Sequence, residues 1–191
     1  MIDWLSPIKA DQYAEYYDGE FLKRLGIYEL ATPLHSFWPP NGPRWDGLAR
    51  TSSHKFLMVE AKAYIEEAVD FGSKAGDTSR NKIAEALRES QLAYGANPDA
   101  NWEAPFYQYA NRLAHLHFLV AKNEIDAFLV FLYFANAPDV PSPCTAKEWE
   151  GARRLTEKCL GLGSSHTYSD RIATIVIDVP EMCESYLGVN P

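Results

Sequence analysis

The sequence predicts a single α/β domain in which a central mixed sheet lies between two layers of helices. Two apolar runs, 127–135 and 171–179, are rich in β-branched and aromatic residues, as buried strands are. Stretches with apolar residues at helical spacing separate these runs from an earlier group of short strands. The length of 191 residues suits one domain with a sizeable core, and no internal repeat divides it.

The first part of the chain is predicted to form a helix followed by three strands. Ser6 and Pro7 are typical of a helix start, and Gly26 is typical of a helix end. The first strand is predicted at 34–38, before a dense turn signal of proline, asparagine and glycine. Two further strands on either side of a turn at 51–54 complete a predicted three-stranded meander.

The second part of the chain is predicted to alternate helices and strands. Three helices are predicted before the long apolar strand, over residues 64–71, 79–92 and 104–121. After that strand, Thr145 is predicted to cap a helix, with Glu148 in the capping-box position. This order of elements predicts a three-layer α/β domain with a mixed sheet.

The third predicted strand carries the most informative residues of the chain. Its apolar run at 56–59 ends abruptly in Glu60, Ala61 and Lys62. Because side chains alternate along a strand, Glu60 and Lys62 should point to one face of the sheet and Ala61 to the other. A buried strand is therefore predicted to end in an acid and a base on the same face.

A second acid, Asp46, precedes the turn that leads into this strand. A three-residue loop, with Thr51 opposite Lys55, sets a hairpin register in which Asp46 lies directly across from Glu60. Two like charges in this position destabilise a sheet. A divalent cation would remove the repulsion, since hard cations prefer carboxylate and carbonyl oxygens. Lys62 would then stand beside the metal as a point charge for a phosphate or a water, the chemistry of metal-dependent phosphodiester hydrolysis.

The pattern of Pro43, Asp46 and Glu60-Ala61-Lys62 resembles the PD-(D/E)XK nuclease superfamily. Thirteen residues separate Asp46 from Glu60, and both acids fall on adjacent predicted strands. Two residues stand between Pro43 and Asp46, a spacing that varies in the superfamily. The predicted order of helices and strands also agrees with the common core of that superfamily.

The resemblance implies a restriction-endonuclease-like core and a metal-dependent nuclease acting on nucleic acid, with DNA the first candidate. It implies that Mg²⁺ or Mn²⁺ is held by Asp46, Glu60 and the carbonyl of Ala61. Lys62 would orient the attacking water or stabilise the transition state.

Helical residues beyond the motif are candidates for substrate binding. Gln108 and Arg112 are four residues apart on a predicted helix and share one face, and Arg112 suits bidentate phosphate binding. Gln91, with Tyr94 three residues later, resembles the glutamine-and-tyrosine helix motif of one nuclease branch, which spaces the two residues four apart. Gln108 and Arg112 are the preferred pair.

The composition of the chain limits the class of protein, its location and its partners. A formal net charge of −8 disfavours a protein that coats nucleic acid through a broad basic surface, although it leaves a metal-assisted nuclease open. The three cysteines are too few and too widely spaced for a disulfide framework, which predicts reduced thiols and a cytoplasmic location. No apolar run reaches membrane-spanning length and the N-terminus lacks a signal-peptide pattern, so no membrane partner is expected.

A second hypothesis is a nuclease-fold protein that no longer cuts and serves as a binding or assembly module. The acidic composition and the aromatic excess, which includes Trp38, Trp45 and Trp102, leave room for a protein partner or a homodimer. Divalent metal binding separates this hypothesis from the first.

Overall fold

A computed structural model of the chain describes residues 1–70 and 72–187. Its strands are β1 (Ile2–Ser6), β2 (Gly47–Thr51), β3 (Phe56–Lys62), β4 (Ala127–Ala135) and β5 (Ile172–Asp178). Its α-helices are α1 (Asp18–Leu25), α2 (Ala31–Phe37), α3 (Asp77–Tyr94), α4 (Tyr107–His117), α5 (Ala146–Cys159) and α6 (Val179–Leu187). None of the described helices is both long and apolar enough to cross a membrane.

The five strands form one mixed sheet in the order β1-β2-β3-β4-β5. The pairs β1–β2 and β2–β3 are antiparallel, whereas β3–β4 and β4–β5 are parallel. Parallel neighbours need long crossovers, and α3, α4 and α5 provide them. The predicted α/β class and mixed sheet are confirmed.

The position of the first strand was predicted wrongly. The edge strand is β1, at the very start of the chain, and the residues predicted as a strand at 34–38 lie mostly in α2. Leu34 and Phe37 are both buried, which is a helical spacing, and a short apolar run does not distinguish a helix from a strand. The antiparallel meander therefore exists, but α1 and α2 are inserted between its first two strands.

Two predicted helices have different bounds from those expected. The first, α1, is short, although it ends as predicted at Gly26, which has a φ of 82°. In the predicted helix over 64–71 only a 3₁₀ turn at Ile65–Ala68 forms, and residue 71 lies outside the described part of the chain. Asp70 instead pairs with the segment that leads into α4, donating its backbone N–H to the carbonyl of Pro105 at 2.8 Å.

The later elements agree closely with the prediction. β4 spans the predicted 127–135, and β5 lies within the predicted 171–179. The capping box at the start of α5 is complete: Thr145 accepts from the backbone of Glu148, whose carboxylate accepts from the backbone of Thr145 at 2.7 Å. These elements have strong local signals, which explains the agreement.

Helices α4 and α5 pack on the same face of the sheet. Tyr109 of α4 stacks on Phe131 at 4.0 Å between ring centroids, and Trp149 of α5 stacks on Tyr133 at 4.3 Å. Glu60 is the register partner of Phe131 in the neighbouring strand and points to this face as well. The main core and the predicted motif are therefore enclosed together between the sheet and these helices.

Candidate active site

The β2–β3 hairpin has the predicted register. Gly47 pairs with Val59, and Thr51 donates its N–H to the carbonyl of Lys55 at 2.8 Å. Asp46 lies one residue before β2, and an extension of the same register would set it opposite Glu60. Asp46 Oδ2 accepts a hydrogen bond from the N–H of Ala61 at 2.7 Å, which holds this carboxylate at the end of β3.

Glu60 is buried and is balanced by two cations. Its side chain lies under α4 and only 3% of the residue is exposed. Oε2 accepts a hydrogen bond from Arg112 Nε at 2.6 Å, and Nη2 of the same guanidinium lies 2.5 Å from it as an ion pair. Lys62 Nζ lies 2.9 Å from Oε1 as an ion pair, although outside hydrogen-bond geometry, so Oε1 makes no hydrogen bond within the described residues. Arg112 therefore engages one oxygen of Glu60, and the ammonium group of Lys62 lies against the other.

Lys62 is held between Glu60 and Gln108. Its Nζ donates to Gln108 Oε1 at 2.9 Å, and the backbone N–H of Gln108 donates to Asp70 Oδ2 at 2.7 Å. A cavity of about 20 Å³ adjoins this group, with Glu60, Lys62, Gln108, Tyr109 and Thr156 among its lining residues. A volume of this size accommodates a single water molecule. The structure thus brings the predicted Gln108 into contact with the predicted Lys62.

Arg112 also reaches the predicted group, but not in the way a phosphate-binding residue would. It is 6% exposed, and its guanidinium lies 5.0 Å from the ring centroid of Trp45. Besides Glu60, it donates to Asn111 Oδ1 at 2.7 Å and to the carbonyl of Arg44 at 2.9 Å. Its donors are thus committed inside the protein. The i, i+4 spacing indicated the correct helix face but could not indicate that Glu60 is the partner.

The structure does not bring Gln91 to this group. Gln91 is buried near the end of α3, where Nε2 donates to the carbonyls of Asn97 and Ala100, both at 2.8 Å. Its Oε1 accepts from Arg88 at 3.0 Å. These bonds hold the loop after α3, so the side chain serves the fold at this position.

Burial and the nearby charge of Glu60 make the ionised form of Asp46 unfavourable. The pKa of Asp46 is raised to about 6, first by burial and then by the negative charge of Glu60. The hydrogen bond from Ala61 and the charges of Arg112 and Lys62 oppose this shift without cancelling it. Asp46 therefore lacks sufficient positive charge nearby, a deficit that a divalent cation would remove.

The oxygen donors present fit a hard divalent cation. No group of three or more His, Cys, Asp or Glu side chains in the described part of the chain is arranged to hold a metal. The predicted set is smaller: the carboxylates of Asp46 and Glu60 and the carbonyl of Ala61. All three supply oxygen atoms, Glu60 Oε1 has an ion pair with Lys62 but no hydrogen bond within the described residues, and water commonly completes the coordination of Mg²⁺.

An open groove of about 1080 Å³ adjoins this group at Gln108 and was not predicted. Its lining includes Arg44, Lys74, Asn111 and Gln108, and Gln108 also lines the small cavity at Lys62. Arg44 is an exposed residue, and its guanidinium stacks over the ring of Tyr17 at 4.1 Å. Arg44 and Lys74 are 30 residues apart in the sequence, so no local spacing could have indicated that they share a groove.

His115 lies on α4, near Arg112, and is expected to make the stability of the fold depend on pH. Burial lowers the pKa of His115 to about 3, and its Nδ1 bonds the carbonyl of Asn111 at 2.8 Å. Trp38 packs against the ring at 4.9 Å. Above about pH 6.5 the histidine is neutral in both the folded and unfolded states. Below that pH only the unfolded state binds the proton, so the folded state loses stability as the pH falls toward 3.

We expect His115 to contribute a loss of about 1.4 kcal/mol in the free energy of unfolding for each pH unit below 6.5. Urea denaturation at pH 7, 6 and 5 measures it, and the His115→Phe variant should lack this part of the slope. The exposed His35 provides the control, since His35→Phe should keep the wild-type slope. Equal slopes in wild type and His115→Phe would contradict the assignment.

No protein-family model, curated protein or solved structure matches this chain. A function for the chain is therefore inferred from the site itself. Its distinguishing features are the neighbouring carboxylates of Asp46 and Glu60, the cations Lys62 and Arg112, and the amide of Gln108 that holds Lys62.

Proposed function

We propose that this protein is a Mg²⁺- or Mn²⁺-dependent nuclease of the PD-(D/E)XK type, located in the cytoplasm, that hydrolyses phosphodiester bonds of nucleic acid, DNA in the first instance. The observation that carries this proposal is the close approach of Asp46, Glu60 and Lys62 at the end of β3. Two acids that face each other in a partly buried position, with a lysine beside them, favour a metal-assisted reaction at phosphate.

Each residue has a distinct role in the proposed site. Asp46, Glu60 and the Ala61 carbonyl would hold the metal ion, which when bound supplies an activated water and neutralises phosphate charge. Arg112 holds Glu60 through Oε2 and leaves Oε1 directed toward Lys62. Gln108 fixes the ammonium group of Lys62, which donates to the water or to the phosphate oxygens in the transition state.

The proposal includes a restriction-endonuclease-like core. The antiparallel β2–β3 hairpin followed by the parallel strand β4 supports it, because the motif lies at the end of β3 and the helices α4 and α5 cover it. The proposed core rests on the covered face alone, since the opposite face of the sheet, where a third layer would lie, is partly accessible within the described residues.

The Asp46→Asn variant tests the proposal. Millimolar Mg²⁺ or Mn²⁺ should stabilise the wild type by about 2.7 kcal/mol at a hundredfold excess over Kd, because only the folded state binds the ion. This corresponds to a rise in melting temperature of about 5 to 10 °C for a chain of this size. Asp46→Asn should lose that gain, lose cleavage of plasmid and single-stranded DNA, and be no less stable without metal, since one repelling carboxylate is gone.

The exposed Asp77 supplies a matched control. Asp77→Asn removes the same charge at a position where the side chain is 99% exposed and should keep both the metal response and cleavage. A wild-type melting curve that does not move in millimolar metal, together with no cleavage of DNA or RNA, would contradict the proposal.

A nuclease-fold protein that binds without cutting is the second candidate. It is favoured by the way Arg112 and Lys62 already balance the charge of Glu60, so that the site is stable with protein cations alone. In this case calorimetry should detect no binding of Mg²⁺ or Mn²⁺ to the wild type.

A further inference from the structure

The face of the sheet opposite α4 and α5, here called the second face, is apolar and only half covered. The strand registers place on it Ile2, Trp4, Leu57, Val59, Phe128, Val130, Leu132, Phe134, Ile175 and Ile177. Ile2 and Trp4 are each 52% exposed and Ile175 is 47% exposed. Phe128, Val130, Leu132 and Phe134 alternate with the buried side chains of β4 and are all partly accessible.

Charged side chains occur only at one end of the second face among the residues that the structure describes on it. Arg171 and Lys55 both pair with Asp126, and both cations lie over the ring of Phe128, at 5.1 and 5.2 Å. The centre of the face, around Val130 and Leu132, carries no charge. A partner that presents charged groups would therefore find no counter-charge there.

The size of the second face suits a specific interface. Five strands spaced about 4.8 Å apart and about 20 Å long cover about 500 Å². Two such faces in full contact would remove at most about 1,000 Å² from solvent, which is the lower limit for a specific protein–protein interface. A contiguous apolar surface of this extent on a soluble domain commonly marks an interaction site.

We propose that the second face is the interface of a homodimer in which two copies pack sheet against sheet. A two-fold contact needs only a surface that complements itself, and a sheet face with an apolar, uncharged centre meets that requirement without pockets or matching charges. Face-to-face sheets pack about 10 Å apart with interdigitating side chains, as the partly exposed aromatic and branched residues here would allow. The candidate active site lies on the other face, so the dimer leaves it open, and the inference holds whether or not the site is catalytic.

Sedimentation equilibrium and light scattering on the full chain test the dimer. The wild type should be dimeric at about 100 µM, which corresponds to a modest free energy of association. Ile175→Lys should be monomeric at the same concentration, because it buries a charge in the interface of each copy. Leu155→Lys is the matched control: Leu155 is 59% exposed on α5, over the other face, and its replacement should leave the dimer intact.

A milder variant protects the test against misfolding. Ile175→Thr keeps the β-branched shape and should weaken the dimer about tenfold, with an unchanged circular dichroism spectrum. The proposal is overturned if the wild type is monomeric at about 100 µM, or if Ile175→Lys associates as strongly as wild type. If the wild type is monomeric and binds lipid vesicles, and Ile175→Lys abolishes that binding, the second face contacts a membrane instead of a second copy.

Discussion

Replacing Lys62 with alanine is expected to lower the rate of DNA cleavage by about 10² to 10³, the cost of removing one preorganised electrostatic group. Lys62 Nζ lies 2.9 Å from both Glu60 Oε1 and Gln108 Oε1, so its charge is directed into the site rather than into solvent. Turnover should fall far more than substrate affinity, because the proposed interaction strengthens only in the transition state. Single-turnover cleavage in Mn²⁺, with plasmid, single-stranded DNA and RNA in parallel, measures the effect.

Lys55→Ala is the control for this prediction. Lys55 lies just before the same strand, β3, at its opposite end, and its loss should leave the rate unchanged. The melting temperature of Lys62→Ala and its rise in Mn²⁺ should also remain close to those of the wild type, since Arg112 still balances Glu60. Equal cleavage by wild type and Lys62→Ala would remove the catalytic role of Lys62 and, with it, the main support for an enzyme.

Replacing Arg112 with methionine is expected to lower the free energy of unfolding by about 3 to 5 kcal/mol. The guanidinium makes two close contacts with Glu60 Oε2, and both side chains are almost fully buried. Removing it leaves a buried carboxylate whose remaining cation, Lys62, contacts only Oε1. Urea unfolding at neutral pH, with an unchanged m-value, measures the loss.

The double variant Glu60→Gln, Arg112→Met separates the cost of an unpaired charge from the cost of the other contacts that Arg112 makes. It should recover a large part of the lost stability, because no unpaired charge remains. The recovery should be incomplete, since Arg112 also bonds Asn111 and the carbonyl of Arg44. As a control, Arg153→Met breaks a more exposed pair with Glu157 and should cost less than about 1 kcal/mol. A loss as small as this in Arg112→Met would show that the Glu60 charge is not balanced by Arg112.

The hairpin shows how far local sequence can determine a site. The apolar run before Glu60, the length of the 52–54 loop and the alternation of side chains determine the register, which brings Asp46 to the end of β3 near Glu60 and Lys62. Within α4 the spacing of Gln108 and Arg112 determines that both reach the same side. The long strand β4 and the capped helix α5 are likewise determined by signals within about ten residues.

Tertiary structure decided whatever depends on a partner that is distant in the sequence. Residues 31–37 form a helix because Leu34 and Phe37 both pack into the core, while the edge strand is supplied by the first residues of the chain. Arg112 holds Glu60, 52 residues away, rather than a phosphate, because α4 packs directly over that part of β3. The exposure of the second face depends on where every helix lies. Local patterns determine which way a side chain points, and only the packing of distant elements determines what it meets.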